Sequence, residues 1–290
     1  MKKSDDDDHG RGSGLPPPKV RPDRVGPVHV ELISIGRDLL RGRTTDSNSQ
    51  YLAERITRRG GQVQRVTVVD DDEQAIGTAI REALGRNPHL LVTSGGLGPA
   101  RDDRTLAAVA NVLQRPLTMH TQAKAMVEAA YQDLARARFV PSGGLNLARE
   151  KLCRLPIGSE AVPNPRGVAP GCICRLPGGS AILCLPGRPD DMRATLEEAL
   201  PLLKGVTPHN ELAQREIESP TPDEAELRPL LEQLADEFPA VWISSHPSGS
   251  RKKGSKIMIT VEATAPTKEE ANQAVSAAQR RLIALAAGPR

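Results

Sequence analysis

Pro88-His-Leu-Leu-Val-Thr-Ser-Gly-Gly-Leu-Gly-Pro-Ala-Arg-Asp-Asp-Arg-Thr-Leu106 is the stretch on which the fold turns. Pro88 to Thr93 is apolar nearly throughout, the pattern of a strand buried on both faces. Glycines crowd the next residues, and Arg104 to Leu113 then reads as a helix. Strand, glycine turn and helix make half of a β-α-β unit, so the neighbouring segments should repeat the alternation. They do. His29-Val-Glu-Leu-Ile-Ser-Ile-Gly36 is a short β-branched run that ends in glycine. Ser47 to Arg59 places Tyr51, Leu52, Arg55 and Ile56 at helical spacing and is stopped by Gly60-Gly61. Val63 to Val69 reads as a second strand. Asp72 to Arg86 reads as a second helix with Ala75, Ile76, Ala79, Ile80 and Leu84 on one face. The order β-α-β-α-β-α predicts an α/β domain with a mostly parallel sheet between two helix layers.

Downstream, Met119 to Arg138 and Leu145 to Leu155 read as helices around a Pro141-Ser-Gly-Gly144 loop. Val162 to Gly171 holds too much proline and glycine for regular structure. Cys172 to Leu176 and Ser180 to Leu185 read as hairpin strands, and Asp190 to Leu203 as a helix with two aspartates at its positive end. This larger domain spans 27–205. A linker at 205–209 leads to a β-α-β-β-α order over 206–290, which predicts a small α+β layer of ferredoxin-like or KH-like type. Residues 1–26 hold an acidic run, glycines and Pro16-Pro17-Pro18 with almost nothing apolar to bury, and read as a disordered tail.

Composition excludes several roles. The net charge is only +3 and aromatic residues are 2%. Neither a basic face nor a stacking platform is available, which argues against nucleic acid as a partner. The one dense basic run, Arg251-Lys-Lys253, reads as a solvated loop. Cys153, Cys172, Cys174 and Cys184 form no Cys-x-x-Cys pair, so a zinc site is not expected and the thiols read as small core residues. No apolar run is long enough for a membrane span and the N-terminus has no signal core, so a cytoplasmic protein is expected.

The segments that can carry chemistry are the loops after strands. In the glycine loop, Gly95, Gly96, Leu97 and Gly98 can bring backbone amides to an anion, and the helix N-terminus behind them favours phosphate. The loop lacks the ending of a P-loop and the spacing of a dinucleotide fingerprint. Asp102 and Asp103 either hold a divalent cation such as Mg²⁺ against the phosphate or cap the following helix. After the first strand, Asp46 and Asn48 offer oxygen ligands, and Arg41 and Arg43 offer charge. In a doubly wound sheet both loops would lie where ligands bind. Asn164 to Gly171 and Leu185 to Met192 are rigid loops able to present amides.

Taken together, Gly36 to Asn48, Gly95 to Thr105, Asn164 to Gly171 and Leu185 to Met192 resemble, in order, the motifs of the N-terminal domain of the competence/damage-inducible protein A (CinA) family, a molybdopterin-binding, MoaB/MogA-like domain. The resemblance covers about residues 28–205. It implies a three-layer molybdopterin-binding-like fold, a nucleotide or pterin-phosphate ligand and a homo-oligomer. It also implies metal-dependent hydrolysis of ADP-ribose or a similar dinucleotide. Adenylation of molybdopterin and a non-catalytic nucleotide-binding module are the alternatives. Carried over by motif, Gly95, Gly96, Leu97 and Gly98 cradle phosphate. Asp102 and Asp103 bind the metal and, with Asp46, act in catalysis. Thr105 caps the helix or touches the ligand, and Asn48, Asn164, Gly171, Pro186 and Gly187 complete the pocket. Arg37 and Asp38 depart from the pattern's Thr and Glu, and Ala100 from its Thr; Arg37 sets a charge beside the pocket. The family's C-terminal deamidase domain finds no counterpart in these residues, so deamidase activity is not expected.

Overall fold

The computed structural model describes residues 28–204, 206, 210–248 and 256–286. The tail at 1–26, most of the 205–209 linker and the Arg251-Lys-Lys253 run lie outside them. The larger unit opens with β1 (Val28–Ile35), a single helical turn α1 (Arg37–Leu40), α2 (Ser47–Thr57), β2 (Gly61–Val69), α3 (Glu73–Gly85), β3 (Leu90–Ser94) and α4 (Thr105–Leu113). It continues through β4 (Leu117–Met119), α5 (Thr121–Arg136), α6 (Leu147–Leu152), β5 (Arg154–Pro156), β6 (Glu160–Val162), β7 (Gly171–Arg175), β8 (Ala181–Leu185) and α7 (Pro189–Ala199). The predicted helix from Asp190 to Leu203 is interrupted: beyond Ala199 it tightens into a 3-10 turn, Leu200–Leu203, with Pro201 inside. Proline lacks the N–H that another α-helical bond would need.

The central sheet has the strand order β2-β1-β3-β8-β7-β6. β2, β1, β3 and β8 run parallel, and β7 and β6 complete the edge antiparallel. Alternation along the strands sorts the core into two layers. Ile33, Ile35, Leu91 and Ile182 face Ile76, Ile80, Val109 and Val127 of α3, α4 and α5. Leu32, Leu90, Val92 and Leu183 face Leu52, Ile56, Met192 and Leu196 of α2 and α7. Aliphatic side chains fill both layers, as a sequence so poor in aromatic residues requires. The cysteines join the first layer, and Cys172 and Cys174, two apart on β7, bring their sulfurs to 3.8 Å.

The remaining residues form β9 (Glu211–Glu218), α8 (Glu224–Glu237), β10 (Val241–Ser248), β11 (Lys256–Ala265) and α9 (Lys268–Ala286). The sheet order β10-β11-β9 is antiparallel throughout, so β9 and β10 run the same way with β11 between them, a split β-α-β. Ile257, Ile259 and Val261 pack against Leu227, Leu234, Val275 and Leu282 of the helices. This is the small α+β layer expected. Among the described residues no helix is long and apolar enough to cross a membrane.

Candidate functional site

The chain turns to the other side of β1 when it passes from β2 to β3, so the carboxyl ends of β1 and β3 part to leave a crevice. Ser34 and Ser94 are paired across the two strand ends, and Ser94 is paired in turn with Leu185 of β8. A cleft of about 180 Å³ opens there, lined by Ser34, Gly36, Asp38, Asp46, Asn48, Ser94 and Gly187 among others.

Its floor is a hydrogen-bonded polar network. Asp46 caps α2, accepting from the Ser49 amide at 3.0 Å and from the Ser34 hydroxyl at 2.7 Å. Asn48 donates to the Ser94 hydroxyl at 2.9 Å and to the Gly187 carbonyl at 2.8 Å, tying α2 to β3 and to the loop after β8. Ser94 donates on to the Pro186 carbonyl at 3.3 Å. Asp46, Asn48 and Gly187 are therefore brought together as the sequence predicts, and Pro186 lies beneath them through its carbonyl.

Beside this cleft the glycine loop leaves β3. Gly95 has φ +112°, and a Cβ there would collide with the Ile35 carbonyl; Gly96 has φ +67°, and a Cβ would collide with the Thr105 hydroxyl. Only glycine fits these positions. Thr105, fully buried, donates its hydroxyl to the Gly95 carbonyl at 2.7 Å and its amide to the Gly96 carbonyl at 3.2 Å. Its expected role as a helix cap is corrected accordingly: the hydroxyl donates inside the loop, and the cap of α4 is Arg104 with no side-chain bond. Leu97 is likewise a backbone contributor, because its side chain is 5% exposed and belongs to the core. The amides of Gly96, Leu97 and Gly98 have no partner among the described residues. Successive unspent amides in a loop form an anion-binding concavity.

Asp103 Oδ2 accepts from the Ala100 amide at 2.8 Å and closes the turn after Gly98; Asp102 is exposed. Among the described residues no group of three His, Cys, Asp or Glu side chains is poised around a cation. The pair fits a metal such as Mg²⁺ only as a site shared with phosphate oxygens, the way that ion is commonly bound.

Sequence reasoning missed two parts of the surroundings. Asp70, Asp71 and Asp72 stand at the carboxyl end of β2, and Arg37 turns toward them. Its Nε donates to Asp70 at 2.8 Å and its amide to Asp71 at 2.8 Å. The bond to Asp70 raises the arginine above its ordinary value and holds Asp70 below the usual carboxylate range. The charge at Arg37 is thus paired rather than loose beside the pocket. The aspartate run after a strand was the available signal. The second part is Lys151 of α6, whose ammonium donates to the Ala100 carbonyl. Burial lowers this lysine, opposed by the nearby Asp103. No local pattern announces a contact across 51 residues.

Two expected pocket residues are not among those that line the cleft. Asn164 organises its own loop, accepting from the Arg166 and Gly167 amides at 3.1 and 2.9 Å and donating to the Ala169 carbonyl at 2.9 Å, and it also donates to Asp191 of α7 at 3.4 Å. Gly171 is buried at the start of β7, where a Cβ would meet Thr195 Cγ2 at 2.6 Å. Its lack of a side chain serves helix packing.

Known proteins share this architecture. A protein of Pyrococcus horikoshii is 40% identical over 226 residues, covering 78% of this chain and 86% of that one. A protein of Aeropyrum pernix is 38% identical over 243 residues, covering 83% and 87%. The crystal structure of the protein CinA with unknown function from Thermoplasma acidophilum is 34% identical. It superposes with a TM-score of 0.54 over 60% of this chain and 98% of that chain. Residues 31–205 match the family model described as a probable molybdopterin binding domain. With the crevice, the glycine loop and these likenesses in agreement, the chain belongs to the molybdopterin-binding domain family.

Proposed function

We propose that the chain binds a nucleotide or pterin phosphate at the carboxyl ends of β1 and β3 and hydrolyses the pyrophosphate of ADP-ribose or a similar dinucleotide. The observation that carries the reading is the row of unspent amides at Gly96, Leu97 and Gly98, with Asp103 fixed beside them. The amides hold the phosphate oxygens and orient the pyrophosphate. Asp102, and the oxygen of Asp103 not used on Ala100, would hold a divalent cation against the same phosphate. When bound, such a cation neutralises phosphate charge and activates water. Asp46 and Asn48 line the wall against which the rest of the ligand lies. In this reading the protein works in the cytoplasm and as an assembly of like copies, which sedimentation of the purified chain would measure.

A pterin ligand, with adenylyl transfer in place of hydrolysis, is the second reading; the family match supports the pterin and leaves the reaction open. The hydrolysis is tested by incubation of the full chain with ADP-ribose, with and without Mg²⁺, and chromatography for AMP and ribose phosphate; adenylyl transfer is tested by ATP-dependent adenylation of molybdopterin. Metal-dependent AMP release is expected, and Asp102→Asn with Asp103→Asn should lower it by about tenfold or more each. Hydrolysis that survives both changes sinks the metal assignment. Tight nucleotide binding without turnover under any divalent metal moves the reading to a binding module.

A further inference from the structure

A carboxylate pair beside a phosphate site repels the ligand unless a positive charge stands with it. Here one is already in place. Lys151 reaches the glycine loop from α6 and donates to the Ala100 carbonyl, while Asp103 holds the amide of the same residue at 2.8 Å. The lysine feels both Asp103 and Asp102. Arg37, anchored by Asp70, also feels Asp102, and Arg104 adds its charge nearby. Lys151 is the cation bonded to the same residue as Asp103. Lys151 has no acceptor other than Ala100 among the described residues, and the terminal nitrogens of Arg37 have none. These donors are free for an anion on the loop.

We propose that Lys151 is the resident cation of the loop: it balances Asp102 and Asp103 when no metal is bound, donates to an incoming phosphate, and weakens the pair's hold on a free divalent cation. This rests on the reading of the loop as a phosphate site. Its consequence is that phosphate binding does not need metal, even where hydrolysis does. A lysine is suited to this as a compact charge with several donors on a flexible stem.

The experiment titrates inorganic pyrophosphate into the full-length protein in EDTA, by calorimetry, for the wild type, Lys151→Gln and Lys151→Arg. Separately, Mn²⁺ alone is titrated by electron paramagnetic resonance. The wild type should bind pyrophosphate in EDTA, and Lys151→Gln should weaken it by about tenfold or more, the loss of one charge-assisted hydrogen bond. Lys151→Arg should recover most of the affinity, and Lys151→Gln should bind Mn²⁺ about threefold tighter or more, since the positive charge that competed with the ion for the carboxylates is gone. Unchanged pyrophosphate affinity in Lys151→Gln overturns the proposal and leaves the phosphate site standing. So does wild-type binding that appears only with metal. If the wild type binds no pyrophosphate with or without metal, the phosphate reading itself fails and the role of Lys151 with it.

Discussion

Replacing Thr105 by valine removes one oxygen and keeps the shape. The threonine is fully buried, and its hydroxyl donates to the Gly95 carbonyl at 2.7 Å. The substitution leaves that carbonyl without the bond in a site closed to water, which costs about 1–3 kcal/mol. For a domain of this size each kcal/mol lowers the midpoint of thermal unfolding by about 2–4 °C, so a drop of about 2–12 °C is expected in the transition of the larger unit. The binding effect should be disproportionate. Gly95 and Gly96 hold left-handed backbone, and Thr105 pins both carbonyls, the first through the hydroxyl that valine lacks and the second through its amide. Once released, the amides of Gly96 to Gly98 no longer point one way, and pyrophosphate affinity should fall by about tenfold. Thr105→Ser keeps the donor and loses a methyl group, so it should lower the melting midpoint while leaving affinity close to wild type. Calorimetric melting and pyrophosphate titration on the three proteins separate the two effects. If the valine variant binds as the wild type does, the loop is held by something other than this hydroxyl and the reasoning fails.

Two further expectations follow from ion pairs. Glu31 on β1 is 3% exposed and accepts from Arg86 through both oxygens, at 2.8 and 2.7 Å. Arg86→Leu strands a buried carboxylate and should cost about 2–4 kcal/mol in urea unfolding, somewhat under the full value for a buried pair because Arg86 is partly exposed; a loss below about 0.5 kcal/mol, the range of an ordinary surface change, would mean that water already serves Glu31. In the smaller unit, Arg281 holds the Glu237 carboxyl down from the ordinary 4.5 to about 2. A depressed carboxylate stabilises above its unfolded value and loses that contribution as pH falls, here between about 4.5 and about 2. The difference in melting midpoint between wild type and Arg281→Ala should be constant from pH 7 to about pH 5 and close below that; a difference that persists at pH 2 assigns it to packing of the arginine stem instead.

The parts of the fold that could be read in advance are those with a long period or a hard stop. β1, β3 and the helices between them carry apolar residues at spacings only one element type can use, and glycine ends them. β4, β5 and β6 were missed because three residues cannot display a period: the helix read over Leu145 to Leu155 ends at Leu152 and gives way to β5, and Met119, read as the start of a helix, ends the largely exposed β4. The site divides in the same way. Asp46, Asn48 and the glycine loop sit on the segments that shape them, so local sequence carried them. Lys151 and Asn164 depend on where α6 and the 163–170 loop come to rest. Gly171 illustrates the ambiguity of glycine: close approach by a ligand and close approach by the Thr195 side chain ask the same thing of a residue.

The bond from Asn48 to the Gly187 carbonyl joins residues 139 positions apart, and the Gly95 amide ends on the Leu185 carbonyl. Closing so long a segment comes late, since loop entropy must be overcome before such contacts are gained. The crevice is therefore a product of the final docking of β8. Both loops that line the crevice precede β8 in the chain, so they are synthesised before the strand that completes it. Until β8 arrives, β3 is an unguarded edge whose next neighbour is missing. A ligand bridging the two loops would act as a template for that last step, so it should speed the slow phase of refolding rather than merely slow unfolding.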